Sequence, residues 1–128
     1  DQSFYFGQTA NPYYVTSANY ASDAVTVTDP VAFPTFNSGS VYAWVHYVVT
    51  YDAPSGAMVM YRNGASVSTA TASANHIAAW TGGSVVQFGI NGFLSTLGFT
   101  GAISDFQLYN TALSSTQAGM LYRSSSTF

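Results

Sequence analysis

The chain has 128 residues and no cysteine, and only 5% of its residues are charged. This length fits one domain, and the lack of cysteine excludes disulfides. A soluble domain usually carries about 25% charged residues, so neutral polar side chains must keep this surface soluble. Such a surface has almost no field that could attract nucleic acid, and no run of about 18 apolar residues is present that could span a membrane.

Strand-type alternation, interrupted by turn residues, dominates the first part of the chain. It predicts strands over residues 3–7, 13–17 and 25–28, followed by a long loop over residues 29–40. The strongest predicted strand covers residues 41–51, with apolar residues on both faces. We therefore expect this strand to lie in the middle of a sandwich sheet.

A hairpin is predicted next, because residues 57–61 and 66–72 both alternate and Asn63-Gly64 stands between them. The Asn-Gly pair favours a type I′ turn, in which both residues have positive φ. Two further strands complete the predicted series, over residues 85–89 and 102–109.

A single short helix is predicted near the end of the chain, over about residues 115–122. Ser114 with Gln117 three residues later is a capping-box pattern. The whole pattern predicts an all-β protein, an antiparallel β-sandwich of the jelly-roll type with one short C-terminal helix. The predicted domain covers residues 1–123, and residues 124–128 form a Ser-rich tail.

Four motifs in this order resemble a known family. Residues 44–52 resemble the Trp-His-His-Val-Ala-Leu-Thr-Tyr-Asp strand of laminin-G-like, concanavalin A-like jelly rolls, and residues 56–64 are similar to their Gly-x-Leu-x-Leu-Tyr-Val-Asp-Gly hairpin. Residues 99–110 resemble the family's Phe-x-Gly-x-Ile-Asp-Glu-Val-Arg-Ile-Tyr-Asn strand, and residues 112–122 its closing Ala-Leu-Ser…Leu-Tyr helix. The resemblance covers about residues 41–122 and implies a jelly roll, a location outside the cell, and carbohydrate recognition or adhesion.

The chain departs from the family pattern at three places. The family's opening strands are not recognisable in residues 1–40, so they were removed, have diverged, or are supplied by a neighbouring chain through strand addition. Relatives often hold a structural calcium ion with the first acid of the Ile-Asp-Glu stretch. Here that position is Ser104, and the acid follows one residue later at Asp105. On a strand, the side chain of Asp105 would point to the face opposite that of Ser104. Calcium therefore stays an open alternative, with Asp105 and Asp29 as candidate ligands, and Arg62 in place of an apolar hairpin residue marks a rim or contact position.

Catalysis is not expected. A glycosidase of this fold class needs two carboxylates across the scissile bond, but the chain has no glutamate and its five aspartates stand in turns and at strand ends. His46 and His76 are not accompanied by the Gly-x-Ser-x-Gly elbow of a hydrolase. We expect His46 to be a hydrogen-bonded packing residue and His76 to be solvated in a loop.

Two functions stay open for a non-catalytic domain outside the cell. The first is a carbohydrate-binding or adhesion module, because neutral sugars are recognised by aromatic faces together with amide groups. The second is a structural subunit of a filament, an appendage or a virus particle, which packs against neighbouring subunits as a homo-oligomer or within a larger parent chain. The candidate sugar-binding residues are Trp80, which stands in a Gly-flanked context, and Tyr13, Tyr14, Asn91 and Phe93.

Overall fold

The computed structural model describes residues 3–8, 12–17, 24–32, 44–77, 90–91, 94–98 and 102–125. Within these ranges the chain forms eight strands and one helix. In chain order they are β1 (Ser3–Gln8), β2 (Pro12–Ser17), β3 (Val25–Thr28), β4 (Tyr47–Asp52), β5 (Ala57–Arg62), β6 (Ala65–Thr71), β7 (Ile90–Asn91), β8 (Leu94–Gly98) and α1 (Ser115–Ser125). The predicted fold class, mostly antiparallel β with a short C-terminal helix, is confirmed.

The first sheet contains β1, β2 and β3 in that order, with antiparallel pairing throughout. Its register places Tyr14 of β2 opposite Val27 of β3, and both side chains are buried. The pairing continues one residue past β3, because the Asp29 N–H donates to the Pro12 carbonyl over 2.9 Å. This continuation fixes the backbone of Asp29 against the first sheet.

The second sheet contains β4, β5 and β6, so β5 is its central strand among the strands described. The prediction that residues 41–51 form a central strand is corrected for the residues described: β4 begins only at Tyr47, and among the described strands it pairs with β5 alone. Trp44, ahead of the strand, is 68% exposed. Pairing is irregular between β5 and β6, where Met60 and Tyr61 face Ser68 and Ser66 and so skip one residue. Such a bulge increases the local twist.

The β5–β6 hairpin turns through Asn63 and Gly64, whose φ angles are 51° and 78°. Arg62 pairs directly with Ala65 across the turn. Two central residues with positive φ are those of a type I′ turn, so the prediction from the Asn-Gly pair is confirmed.

The core combines side chains from both sheets. Tyr14 and Val27 come from the first sheet, Met58 and Met60 lie on one face of β5, and Ala72 follows β6. Because residues two apart on a strand share a face, the two methionines enter the core together. Full burial of a large apolar side chain contributes about 1.5–3 kcal/mol, so this shared core joins the sheets into one unit.

Helix α1 begins with the predicted capping box. The Ser114 N–H donates to Gln117 Oε1 over 2.8 Å, and the Gln117 N–H donates to Ser114 Oγ over 3.3 Å. The helix extends to Ser125, beyond the predicted end at residue 122, and the hydroxyls of Ser124 and Ser125 donate to carbonyls three residues earlier. In the described parts of the chain, no helix has the length and apolar character that a membrane crossing requires.

The last part of the strand prediction is wrong where the structure describes it. Residues 85–89 lie outside the described residues, and β7 and β8 were not predicted. Residues 102–109, predicted as a strand, form none. Asp105 has a φ of 53°, a left-handed conformation that interrupts an extended chain. The motif that resembles the family's last strand therefore lies as an exposed segment ahead of α1.

Candidate functional site

A fully buried aspartate lies where β3 ends. Asp29 is 0% exposed, and Tyr47 at the start of β4 donates its hydroxyl to Asp29 Oδ2 over 2.7 Å. Arg62 at the end of β5 places Nη1 at 3.3 Å from Oδ1 and 3.2 Å from Oδ2. The Val31 N–H donates to Oδ1 over 2.9 Å. We call these four residues the Asp29 cluster.

Burial and charge in the Asp29 cluster change the chemistry of its phenol. Burial raises the pKa of Tyr47 well above its ordinary value, and the hydrogen bond to Asp29 raises it further. Tyr47 therefore stays a neutral hydrogen-bond donor over the physiological pH range. A carboxylate bound by a phenol, a guanidinium and a backbone N–H lies out of reach of a substrate, so the arrangement serves to hold β3, β4 and β5 together.

The two candidate calcium ligands stand in different environments. The Asp29 carboxylate faces Arg62, whose charge competes with a cation at the same oxygens. Asp105 lies in the exposed segment. Among the residues that the structure describes, no group of three or more His, Cys, Asp or Glu side chains is placed to hold a metal ion. Calcium binding stays a prediction.

The candidate sugar-binding residues are distributed over the chain. Tyr14 is 4% exposed and belongs to the core. Burial also raises its pKa. Its ring is not accessible to a sugar, so the prediction that Tyr14 binds carbohydrate is corrected. Tyr13 lies in β2 and Asn91 in β7, whereas Trp80 and Phe93 lie outside the described residues.

Two histidines make side-chain contacts instead of forming a reactive pair. The centroids of the His46 and Tyr122 rings lie 5.9 Å apart, and the planes of the two rings are inclined by 45°. His46 Nδ1 is buried without a hydrogen-bond partner in the described part of the molecule, and burial lowers the pKa of this histidine. His76 is half-buried, and its Nδ1 lies 3.2 Å from Ser73 Oγ. His46 is thus a packing residue, as expected, although its backbone makes the hydrogen bonds.

An apolar surface covers the last part of the described chain. Its members are large apolar side chains that are about half exposed, from the segment ahead of α1 and from α1 itself. We call it the C-terminal apolar surface: Ile103 (54% exposed), Phe106 (56%), Leu108 (65%), Tyr109 (44%) and Met120 (57%).

A groove of about 350 Å³ lies against α1 and includes Tyr109 and Met120 of this surface. Its polar groups already have partners, since Gln117 caps the helix, Ser124 donates to Leu121 and the Tyr109 hydroxyl donates to Gln107. The groove therefore presents mainly hydrocarbon. Its lining residues are Tyr109, Leu113, Gln117, Met120, Leu121 and Ser124.

Sequence reasoning missed both features for physical reasons. Asp29 and Tyr47 are 18 positions apart, and no local pattern connects them. The only signal was Arg62 at a position where the family has an apolar residue. The alternation over residues 102–109 is a signal for the C-terminal apolar surface, but alternation by itself predicts a strand buried in a sheet.

The two three-stranded antiparallel sheets, the core that they share and the C-terminal helix define an all-β sandwich domain. A family model described as the concanavalin A-like lectin/glucanases superfamily matches residues 1–118, and the chain belongs to this superfamily. The match includes residues 1–40, in which the sequence alone showed no family motif.

No curated protein matches the chain. The crystal structure of an S-layer domain-containing protein from Clostridium thermocellum is similar to 94% of the chain, with 17% sequence identity and a TM-score of 0.43. The chain spans 63% of the length of that structure.

Proposed function

We propose that this chain is a non-catalytic module that binds neutral glycans outside the cell. The superfamily is described by two activities, lectin and glucanase, and the carboxylates of the chain favour the first. The chain has no glutamate, and Asp29 is held by Arg62 and Tyr47. Asp52 accepts a hydrogen bond from the Ser55 N–H within its own turn. The engagement of Asp29 is the observation that carries the proposal, because hydrolysis needs two available carboxylates.

The class of glycan follows from the charge of the chain. With 5% charged residues, the protein has few groups that could pair with an anionic sugar, and neutral sugars instead pack their C–H faces on aromatic rings. We assign this role to Trp80, and we propose that Tyr13, Asn91 and Phe93 contribute to sugar binding as well. The superfamily and the charge-poor surface also support a location outside the cell.

The two tryptophans of the chain allow a matched test. Trp80→Ala should weaken binding on an array of neutral glycans by about tenfold or more, corresponding to about 1.4 kcal/mol. Trp44→Ala, which removes a ring that is 68% exposed, should leave binding unchanged. In Trp44→Phe, Trp80 is the only tryptophan that remains. Addition of a cognate glycan should therefore shift the tryptophan emission of this variant. Equal binding by both alanine variants would show that Trp80 does not bind the glycan. Failure of the unmodified chain to bind any neutral glycan would contradict the proposed function.

A second candidate function is supported by the C-terminal apolar surface. Contiguous exposed apolar area on a monomer commonly marks a contact with another protein. We therefore also propose that the chain is a structural subunit of an extracellular assembly, such as a filament, an appendage or a virus particle. Light scattering with and without calcium tests this candidate. An oligomer supports it, a stable monomer at all concentrations contradicts it, and a mass that depends on calcium and is altered by Asp105→Asn would place calcium at Asp105.

A further inference from the structure

We propose that Asn63 is a site of spontaneous deamidation: the folded protein protects this residue through its contacts with His46, and the isoaspartate that forms once those contacts are lost cannot restore them. The inference does not depend on what the domain binds. Asn63 is followed by Gly64, and glycine has no side chain to hinder the attack of its own backbone nitrogen on the asparagine side chain. Asn63 is also exposed at the hairpin turn, so water reaches it.

The reaction consumes only water. The backbone nitrogen of Gly64 attacks Cγ of Asn63, the C–N bond of the side-chain amide breaks, and ammonia leaves with the proton of the Gly64 nitrogen. The product is a five-membered succinimide ring. Water then opens this ring at one of its two carbonyls, which gives aspartate or isoaspartate. In isoaspartate the main chain runs through Cβ and Cγ, so the backbone is longer by one methylene group.

Two hydrogen bonds hold Asn63 away from this reaction. Its Oδ1 accepts from the His46 N–H over 3.0 Å, and its own N–H donates to the His46 carbonyl over 2.8 Å. For the attack, Cγ must instead approach the nitrogen of Gly64. This requires a rotation about the Cα–C bond of Asn63, which the type I′ turn fixes. The side chain therefore has to leave His46 and the turn has to change before the ring can close.

Helix α1 keeps the turn in its protected conformation. A Cβ atom placed on Gly64 would lie 3.2 Å from Gly119 Cα, so the hairpin and the helix approach each other at the level of the backbone. The His46 ring also packs against Tyr122 of the same helix. Rotation of the turn would press on α1 or would require the helix to move away. The protection of Asn63 thus depends on the contact between hairpin and helix.

The two products differ in whether they fit this turn. Aspartate at position 63 leaves the backbone length unchanged and keeps an oxygen that can accept from the His46 N–H. Isoaspartate adds a methylene group to a two-residue turn across which Arg62 pairs directly with Ala65. Because the length of a hairpin loop sets the turn type and the register of its strands, the lengthened turn cannot satisfy both the β5–β6 pairing and the contact with His46.

The first test compares the folded chain with the chain unfolded in urea, both at a mildly alkaline pH that favours deprotonation of the backbone nitrogen. Tandem mass spectrometry of chymotryptic peptides gives the deamidation rate of each asparagine. Asn91, which Gly92 follows, is the reference in urea, where the two Asn-Gly pairs should react at similar rates. In the folded chain Asn63 should react about tenfold more slowly than in urea, or slower still, because two hydrogen bonds must first break. Equal rates for Asn63 in the two conditions would overturn the proposal.

Two variants of α1 test the contribution of the helix. Tyr122→Ala removes the ring that packs on His46, and it should raise the rate at Asn63 in the folded chain. Met120→Ala is the control, since it truncates an exposed side chain of the same helix, and it should leave the rate unchanged. Circular dichroism establishes that both variants are folded. Equal rates in the two variants would overturn the role assigned to Tyr122.

A refolding experiment tests the isoaspartate product. In Asn91→Gln, Asn63 is the only asparagine that glycine follows, so incubation of this variant in urea produces isoaspartate mainly at position 63. After separation and dilution from urea, the isoaspartate form should fail to regain the circular dichroism spectrum of Asn91→Gln that was not incubated. Asn63→Asp should refold and melt close to the unmodified chain. An isoaspartate form that refolds and melts as Asn63→Asp does would contradict the proposal.

Discussion

At the scale of single residues, His46 is the point where a strand, a hairpin and a helix meet. Its backbone N–H donates to Asn63 Oδ1 over 3.0 Å, and its carbonyl accepts from the Asn63 N–H over 2.8 Å. Its ring lies against Tyr122 of α1. Because Nδ1 is buried without a hydrogen-bond partner in the described part of the molecule, a proton added there would place a charge in a poorly solvated position.

His46 should make stability depend on pH. Burial lowers its pKa in the folded state from the ordinary 6.5, so the unfolded chain binds the proton first as the pH falls. The free energy of unfolding should therefore fall as the pH drops through about 6.5. Urea midpoints measured between about pH 8 and pH 5 check this expectation.

Two variants identify the group that titrates. His46→Phe keeps a ring against Tyr122 but removes the titration, so its stability should change less with pH. His76→Asn retains His46 and should retain the pH dependence. A pH dependence that is the same in the unmodified chain and in His46→Phe would assign the effect to another group.

At the scale of elements, two glycines let the β5–β6 hairpin approach α1. A Cβ atom placed on Gly64 would lie 3.2 Å from Gly119 Cα and 3.2 Å from Tyr122 Cβ. A Cβ atom on Gly119 would meet only ordinary contacts, 3.4 Å to Arg123 Nη1 and 3.8 Å to the Gly64 carbonyl oxygen. The contact therefore tolerates a side chain on the helix but not on the hairpin.

Substitution of each glycine by alanine should give opposite results. Gly64→Ala should destabilise the protein by about 1–3 kcal/mol, because alanine is strained at a φ of 78° and would also press on α1. Gly119→Ala should be neutral or stabilising by up to about 1 kcal/mol, because alanine favours a helix over glycine. Thermal melts of the two variants check this difference, and equal losses would contradict the close approach of hairpin and helix.

At the scale of the whole molecule, polar contacts as well as the core hold the two sheets together. Asp29 follows the last strand of the first sheet, whereas Tyr47 and Arg62 belong to the second. The Thr28 N–H also donates to Ser68 Oγ over 3.2 Å, which joins β3 to β6. The Asp29 cluster thus makes the position of the first sheet depend on the charge of Arg62 in the second sheet.

A double-mutant cycle measures this link. Arg62→Met leaves the buried Asp29 carboxylate without its cation, which should destabilise the protein by about 3 kcal/mol. Asp29→Asn should also destabilise it, because the arginine, 28% exposed, loses its partner. The double variant should be more stable than the sum of the single losses implies, with a coupling of about 1–3 kcal/mol in urea unfolding. Additive losses would show that the two side chains act independently.

Features that depend on neighbouring residues could be predicted from the sequence, whereas features that depend on the packing of distant residues could not. The Asn63-Gly64 turn and the Ser114–Gln117 cap were predicted correctly, because each depends on the chemistry of neighbouring residues. The Asp29–Arg62 ion pair joins residues 33 positions apart, and only the packing of the two sheets brings them together. Residues 102–109 alternate as a strand does, but a strand needs an edge to pair with, and the local sequence does not specify one.

The three methionines differ sharply in exposure, and this gives them different chemistry. Met58 and Met60 are 0% exposed, whereas Met120 is 57% exposed. Peroxide oxidises a thioether according to its access to solvent and converts it to a polar sulfoxide. Met120 should therefore react in the folded protein, and the two core methionines only when the sheets separate. Oxidation of Met58 and Met60 would therefore mark each opening of the molecule by a covalent change. Oxidation of Met120 makes an apolar surface polar, and reductases can reverse this reaction.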